Sequence, residues 1–298
     1  MKKLISLVLI SLSFSTFAGD KVDKEIAAQA DGAVEIHNVR GEIKITGWDQ
    51  PKVKVVGTLD DLAEEFVFTS KGSKTLVKVK LPRNSRHHNR DGSKLTINVP
   101  QGSEVAFFGV ATDLSISKID GGLDIKSVSG DIFINETKGR TNINSISGIL
   151  KLKDVVGTLE VSTISGDLDA DVSCDKVKVS GVSADLKVKM DNIQSANVSN
   201  VSGDTTVTGV LSSDGELNLG SVSGKAVYLV DGELDAKVSM ETAPGGDIVN
   251  DYSDDKPISS FINSQNLKFT AGKGQGRVKM STVSGDVGLK TKTKSKDK

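Results

Sequence analysis

Aspartates recur along the middle of this chain at a near-constant interval: Asp113, Asp131, Asp167, Asp185, Asp204 and Asp286. Ile149 and Lys225 break the column they would form. Carboxylates stacked one strand apart, ~4.8 Å, repel by about 1 kcal/mol or less in water, and a bound Ca²⁺ would relieve that repulsion. The glycine-rich nonapeptide of calcium-binding coils is absent, however, and Asp after Gly is an ordinary turn residue. The expectation is therefore turn chemistry with no metal and no cofactor, and a cation ladder is the alternative. A second column, Ser129, Ser147, Ser165, Ser183, Ser202, Ser223 and Ser284, offers hydroxyls. A serine nucleophile needs an adjacent base, and no His falls in these segments, so stacked hydroxyls bonding at a corner are expected instead. The histidines are His37, His87 and His88. His37 alternates with Val34 and Ile36 and should face solvent. His87 and His88 sit among Arg83, Arg86 and Arg90 in a polar loop whose spacing supplies no further metal ligands. That basic loop is a candidate contact for an anionic partner such as lipopolysaccharide or an acidic glycan. No catalytic constellation emerges, and the expectation is a protein that is not an enzyme.

The elements that would position these residues come from an internal repeat. Val105, Phe107, Val110, Leu114 and Ile116 are separated by steps of two, three, four and two. Leu123, Ile125, Val128, Ile132 and Ile134 repeat the steps, as do Thr141, Ile143, Ile146, Leu150 and Leu152. Further copies begin at Leu159, Val177, Ala196 and Leu217, with distant ones at Val34 and Val278 and a weaker one at Val238. A step of two marks a strand with alternate side chains inward, and the longer steps must contain a corner. Gly130, Gly148, Gly166, Gly203, Gly224 and Gly285 recur at that corner and permit its bend. The Val or Ile between the two serines of each Ser-Val-Ser-Gly unit is expected to point inward and plug the corner.

The fold expected is thus an all-β, single-stranded β-solenoid with ~18-residue coils stacked at the inter-strand spacing, right-handed by preference. Each coil needs neighbours to bury its inner face. Residues 52–101 read as longer strands or hairpins wider than the coils, and residues 244–275 as a loop excursion. Trp48, beside Pro51, reads as a cap over an open end of the core. The alternating lysines 290, 292, 294, 296 and 298 read as a device that blunts an exposed edge.

Lys2 and Lys3 precede an apolar stretch over residues 4–17 and the small-residue pattern Thr16-Phe17-Ala18. This is the pattern of a secretory signal, too short to span a bilayer, so residues 1–18 should be removed and 19–289 should form the solenoid domain, followed by a Lys-rich tail at 290–298. Basic and acidic residues nearly balance, 38 against 39, which argues against a nucleic-acid binder. The single Cys174 can form no internal disulfide, so packing and hydrogen bonds must hold the fold in an oxidising compartment.

The segments Asn38-Val39-Arg40-Gly41-Glu42-Ile43-Lys44-Ile45-Thr46-Gly47-Trp48-Asp49 and Leu95-Thr96-Ile97-Asn98-Val99-Pro100-Gln101-Gly102, with the train of Ser-Gly-Asp corners, resemble a bacterial family of β-strand-repeat proteins described as candidate adhesins. The chain is also similar to head domains described as candidate autotransporter adhesins. The resemblance implies an exported, adhesin-like structural or interaction module, periplasmic or at the cell surface, with an envelope glycan or protein as partner and no integral membrane segment after cleavage. A periplasmic partner in envelope-stress signalling is the alternative. A polysaccharide-acting β-helix enzyme is a further one, and it would need aromatic subsites that one Trp and two Tyr hardly supply.

Overall fold

Val, Ile and Leu at every second position favour strands that pair on both edges, and the chain turns them into a stack. In the computed structural model, which describes residues 20–82, 92–260 and 264–292, long strands bend at the corners and pair in parallel with their successors. Ile132–Ser147 pairs with Leu150–Ser165, which pairs with Leu168–Ser183, then Leu186–Ser202, then Thr205–Ser223. Ile132, Leu150, Leu168 and Leu186 are in register, as are Ile143, Val161, Val179 and Val198. All are buried and belong to one continuous core. Each such side chain contributes roughly 1.5–3 kcal/mol of burial as an upper estimate, and only because a neighbouring layer covers it.

The corner differs from the sequence reading. Val110, Val128, Ile146, Ile164, Val182, Val201, Val222 and Val283 are exposed, between 43% and 54%, so the aliphatic residue does not plug the corner. The residue before it does: Ser127, Ser145, Thr163, Asn200, Ser221 and Thr282 are buried. Strand alternation explains this. Ile125 and Ser127 point inward, so Val128 must point outward. At Ser127, Ser145, Thr163, Asn200 and Ser221 the small polar side chain then bonds a carbonyl that the bend frees. Ser127 and Ser145 donate to the Ser129 and Ser147 carbonyls at 3.2 Å, and Asn200 donates to the Ala184 carbonyl at 2.7 Å.

Both ends break sequence order. Lys74–Lys80 and Ser93–Pro100 are strands of seven and eight residues, no wider than a coil, and they complete a layer on Ala33–Trp48. Ala33–Trp48 is in turn flanked on its other side by Glu104–Ile119. Lys52–Thr58 and Glu65–Lys71 then pair antiparallel over that end. Trp48, in register with Pro100, is therefore not over an open end; its Nε1 donates to the Lys52 carbonyl at 2.8 Å. The acidic run after Thr58 is tied down by Asp60, which is 2% exposed and paired with the Arg40 guanidinium, one N–O contact being 2.9 Å. Burial alone would raise the Asp60 carboxyl, but hydrogen bonds from Arg40 and the Leu62 amide outweigh it and hold the group below its ordinary value.

At the far end, Gly276–Ser284 and Val287–Thr291 insert between the layer ending in Ala226–Val230 and the layer formed by Ala236–Thr242 and Ile248–Asn250. The 244–275 segment is therefore not a plain loop: it completes a layer, and Gln265–Ala271 pairs antiparallel over it. Lys290 lies on an interior strand rather than an edge, 3.5 Å from Asp251. Residues 1–18 and lysines 294, 296 and 298 lie outside the described residues.

Candidate functional site

The corner columns resolve into backbone chemistry. The Asp113 carboxylate accepts from the Asp131 amide at 2.9 Å, and Asp131 accepts from the Ile149 amide at 2.8 Å. Asp167, Asp185 and Asp204 accept in the same way from Asp185, Asp204 and Lys225, and Asp286 accepts from Asp247. Each carboxylate thus caps the amide one layer on, a charge-assisted bond that offsets the repulsion along the column. Among the described residues no group of three or more His, Cys, Asp or Glu is placed to hold a metal ion. The serines act similarly: Ser129 donates to the Val110 carbonyl at 2.9 Å and Ser147 to the Val128 carbonyl at 3.2 Å.

Gly148 shows why the corner is glycine. Its φ is +113°, and a Cβ there would lie 2.2 Å from the Gly130 carbonyl oxygen. Gly130, Gly203 and Gly224 share that conformation, whereas Gly166 and Gly285 are demanded by close approach to the layer beneath. The column is not uniform, because Ala184 stands in it between Gly166 and Gly203.

His37 lies on an outward face, stacked on Phe108 with ring centroids 4.7 Å apart and paired with Glu35. The basic loop holding Arg83, Arg86, His87, His88 and Arg90 lies outside the described residues. Cys174 is buried under the Val155 carbonyl, and desolvation pushes its thiol up to about 11, which leaves it unreactive.

A feature the sequence reading passed over is Phe133. With Ile132 and Ile134 inward, alternation sends Phe133 outward, and it is 41% exposed. The positions in register with it on neighbouring layers are Lys44 and Ser115 on one side and Lys151 and Asp169 on the other. The next outward column carries Ser117, Asn135, Lys153 and Asp171. Together these side chains line a recess of about 690 Å³, and the Lys151 ammonium lies 5.7 Å from the Phe133 ring centroid. Asp171 is neutralised by Lys189 at 2.7 Å. The recess therefore presents one aromatic face and a row of hydroxyl and amide groups, with the Lys44 ammonium at one end and those of Lys151 and Lys153 about 14 Å away, three inter-strand spacings on and one strand in from the other edge. Its two carboxylates, Asp169 and Asp171, sit on one strand at one edge. The signal that would have found it is a large aromatic at an outward position of a regular strand.

The family model described as Toastrack DUF4097 matches residues 33–297. The chain belongs to that family. The Toastrack fold is β-solenoid-like, as the stacked layers here are. A search of curated proteins finds no match. A solved structure from Bacteroides fragilis, described as a candidate adhesin, superposes with a TM-score of 0.50 at 12% identity, covering 91% of this chain and 97% of its own. One from Parabacteroides distasonis, described as a candidate lipid-binding protein, gives 0.45 at 16% identity, covering 92% and 99%. At 12% identity the likeness to the Bacteroides fragilis structure is one of fold. Among the described residues no helix is long and apolar enough to cross a membrane.

Proposed function

We propose that this Toastrack protein is an exported, non-enzymatic, adhesin-like column of the cell envelope whose lateral face binds an acidic glycan at Phe133. The observation that carries the reading is the half-exposed Phe133 in a recess of Ser115, Ser117 and Asn135, flanked by Lys44, Lys151 and Lys153. An aromatic ring packs against the C–H face of a sugar, hydroxyl and amide groups meet its hydroxyls, and ammonium groups meet its carboxylates. A glycosidase would need its carboxyl groups on either side of the scissile bond, and Asp169 and Asp171 share one edge. Apolar residues 4–17 after Lys2 and Lys3 support export, and cell fractionation with a tagged chain tests it. Titration of the purified chain with a polyuronate and with a neutral dextran tests the ligand. Uronate binding that dextran does not show supports the reading, and equal or absent binding overturns it.

A further inference from the structure

Charge is segregated toward the far end of the stack. Residues 256–285 hold Lys256, Lys268, Lys273, Arg277 and Lys279 and no Asp or Glu, although the whole chain balances 38 basic residues against 39 acidic. Three strands gather part of that charge on one face. Gln265–Ala271 and Gly276–Ser284 flank Ala236–Thr242, which places Lys237 in register with Thr270 on one side and Arg277 on the other. Ser239 is likewise in register with Lys268 and Lys279. Strand alternation turns all six side chains outward, and they line a recess of about 420 Å³. Two inter-strand spacings and one step of two residues make this a frame of about 10 by 7 Å.

Elsewhere on the stack a lysine is neutralised by a carboxylate one layer away. Lys138 meets Asp120 at 3.2 Å, Lys178 meets Glu160 at 2.8 Å and Lys189 meets Asp171 at 2.7 Å. In the frame that pairing is incomplete. Lys268 reaches Glu241 at 3.7 Å and Arg277 reaches Glu216 at 3.6 Å, and both carboxylates lie one position outside it. Among the described residues Lys237 and Lys279 form no ion pair. Lys237 stands one strand from Arg277, where like charges repel. Solubility would be served as well by the mixed signs of the other columns, so folding and solvation do not account for this cluster.

We propose that the frame is a binding site for a phosphomonoester group. The dianion carries three terminal oxygens and meets several cations at once, whereas a carboxylate offers two oxygens in one plane. Arg277 supplies a planar fork for two of the oxygens, Lys237 and Lys279 supply point charges, and the Ser239 and Thr270 hydroxyls donate between them. Inorganic phosphate and a phosphate ester on a sugar or a lipid share this chemistry. The site has no residue in common with the Phe133 recess, so it stands or falls apart from the glycan reading.

Calorimetric titration of the chain lacking residues 1–18, at constant ionic strength, tests this. The separate probes are inorganic phosphate, glucose 1-phosphate, glucuronate, and phosphatidylcholine vesicles with and without phosphatidic acid. Saturable binding of a phosphate-bearing probe that glucuronate does not match is expected, and the probe that binds most tightly identifies the source as free anion, sugar ester or lipid headgroup. Lys237→Glu/Lys279→Glu should weaken that binding about 10-fold or more. Lys187→Glu/Lys225→Glu, the same charge change at exposed positions elsewhere, should leave it unchanged. Removing like charges from a repelling cluster should not lower the melting temperature, which separates a lost site from a lost fold. Lys237→Gln/Lys279→Gln, which adds no negative charge, should lose binding as well. Absence of binding by every phosphate-bearing probe overturns the inference, as does equal binding of glucuronate. Equal loss in the frame variants and in Lys187→Glu/Lys225→Glu would overturn it too.

Discussion

Gly148 lies at a corner between two strands and Gly220 within one, and their surroundings are opposite. Gly148 holds a positive φ with a carbonyl 2.2 Å from any added Cβ, whereas a Cβ at Gly220 would meet nothing within 4 Å. Gly148→Ala should therefore lose roughly 2–4 kcal/mol in urea unfolding, and Gly220→Ala should stay within about 0.5 kcal/mol of wild type. Asp60 sets an acid limit. Its folded value lies below its ordinary 3.8, so the unfolded chain binds that proton more tightly. Its contribution is complete above the ordinary value and disappears as pH falls through the folded one. Wild type should accordingly lose melting temperature more steeply than Asp60→Asn as pH falls below about 4, and parallel curves would refute the assignment. Phe133→Ala should leave the melting temperature within about 1 °C, because the ring is half-exposed, while weakening uronate binding about 5- to 10-fold in calorimetry.

At the scale of elements, the insertion of Gly276–Ser284 between two earlier layers has a measurable consequence. These residues lie near the C-terminus, where fraying is the ordinary expectation. Enclosed on both edges, their amides should exchange as slowly as those of Val177 and Val179 in the middle of the stack. Rapid exchange at Val278 and Met280 would show that the layer is not seated. Sequence alone made the inner columns legible, because period-two apolar steps such as Val105–Phe107 and Leu123–Ile125 have one physical meaning. It misled at Val128, where an apolar side chain was assigned inward although alternation from Ile125 already placed it outward. Phe133 was legible by the same alternation. The order of the layers was not, since Val34, Val278 and Val238 open copies of one template and only pairing decides which copies touch.

As a whole molecule, the chain is a long β-solenoid with antiparallel strands at both ends and, on its sides, a recess around Phe133 and an aliphatic ridge. Surface charges on the recess are worth about 0.2–1 kcal/mol each and are screened over about 8–10 Å in physiological salt. Uronate affinity should therefore fall as salt rises, and Lys44→Glu with Lys151→Glu should weaken it further in the same titration. Calorimetry of the chain lacking residues 1–18 with an oligouronate, followed by sizing of the recovered saccharide, bears most directly on the account. Saturable heat that Phe133→Ala diminishes, with saccharide recovered at its original length, is the expected outcome; absence of heat, or shortened chains, would contradict it.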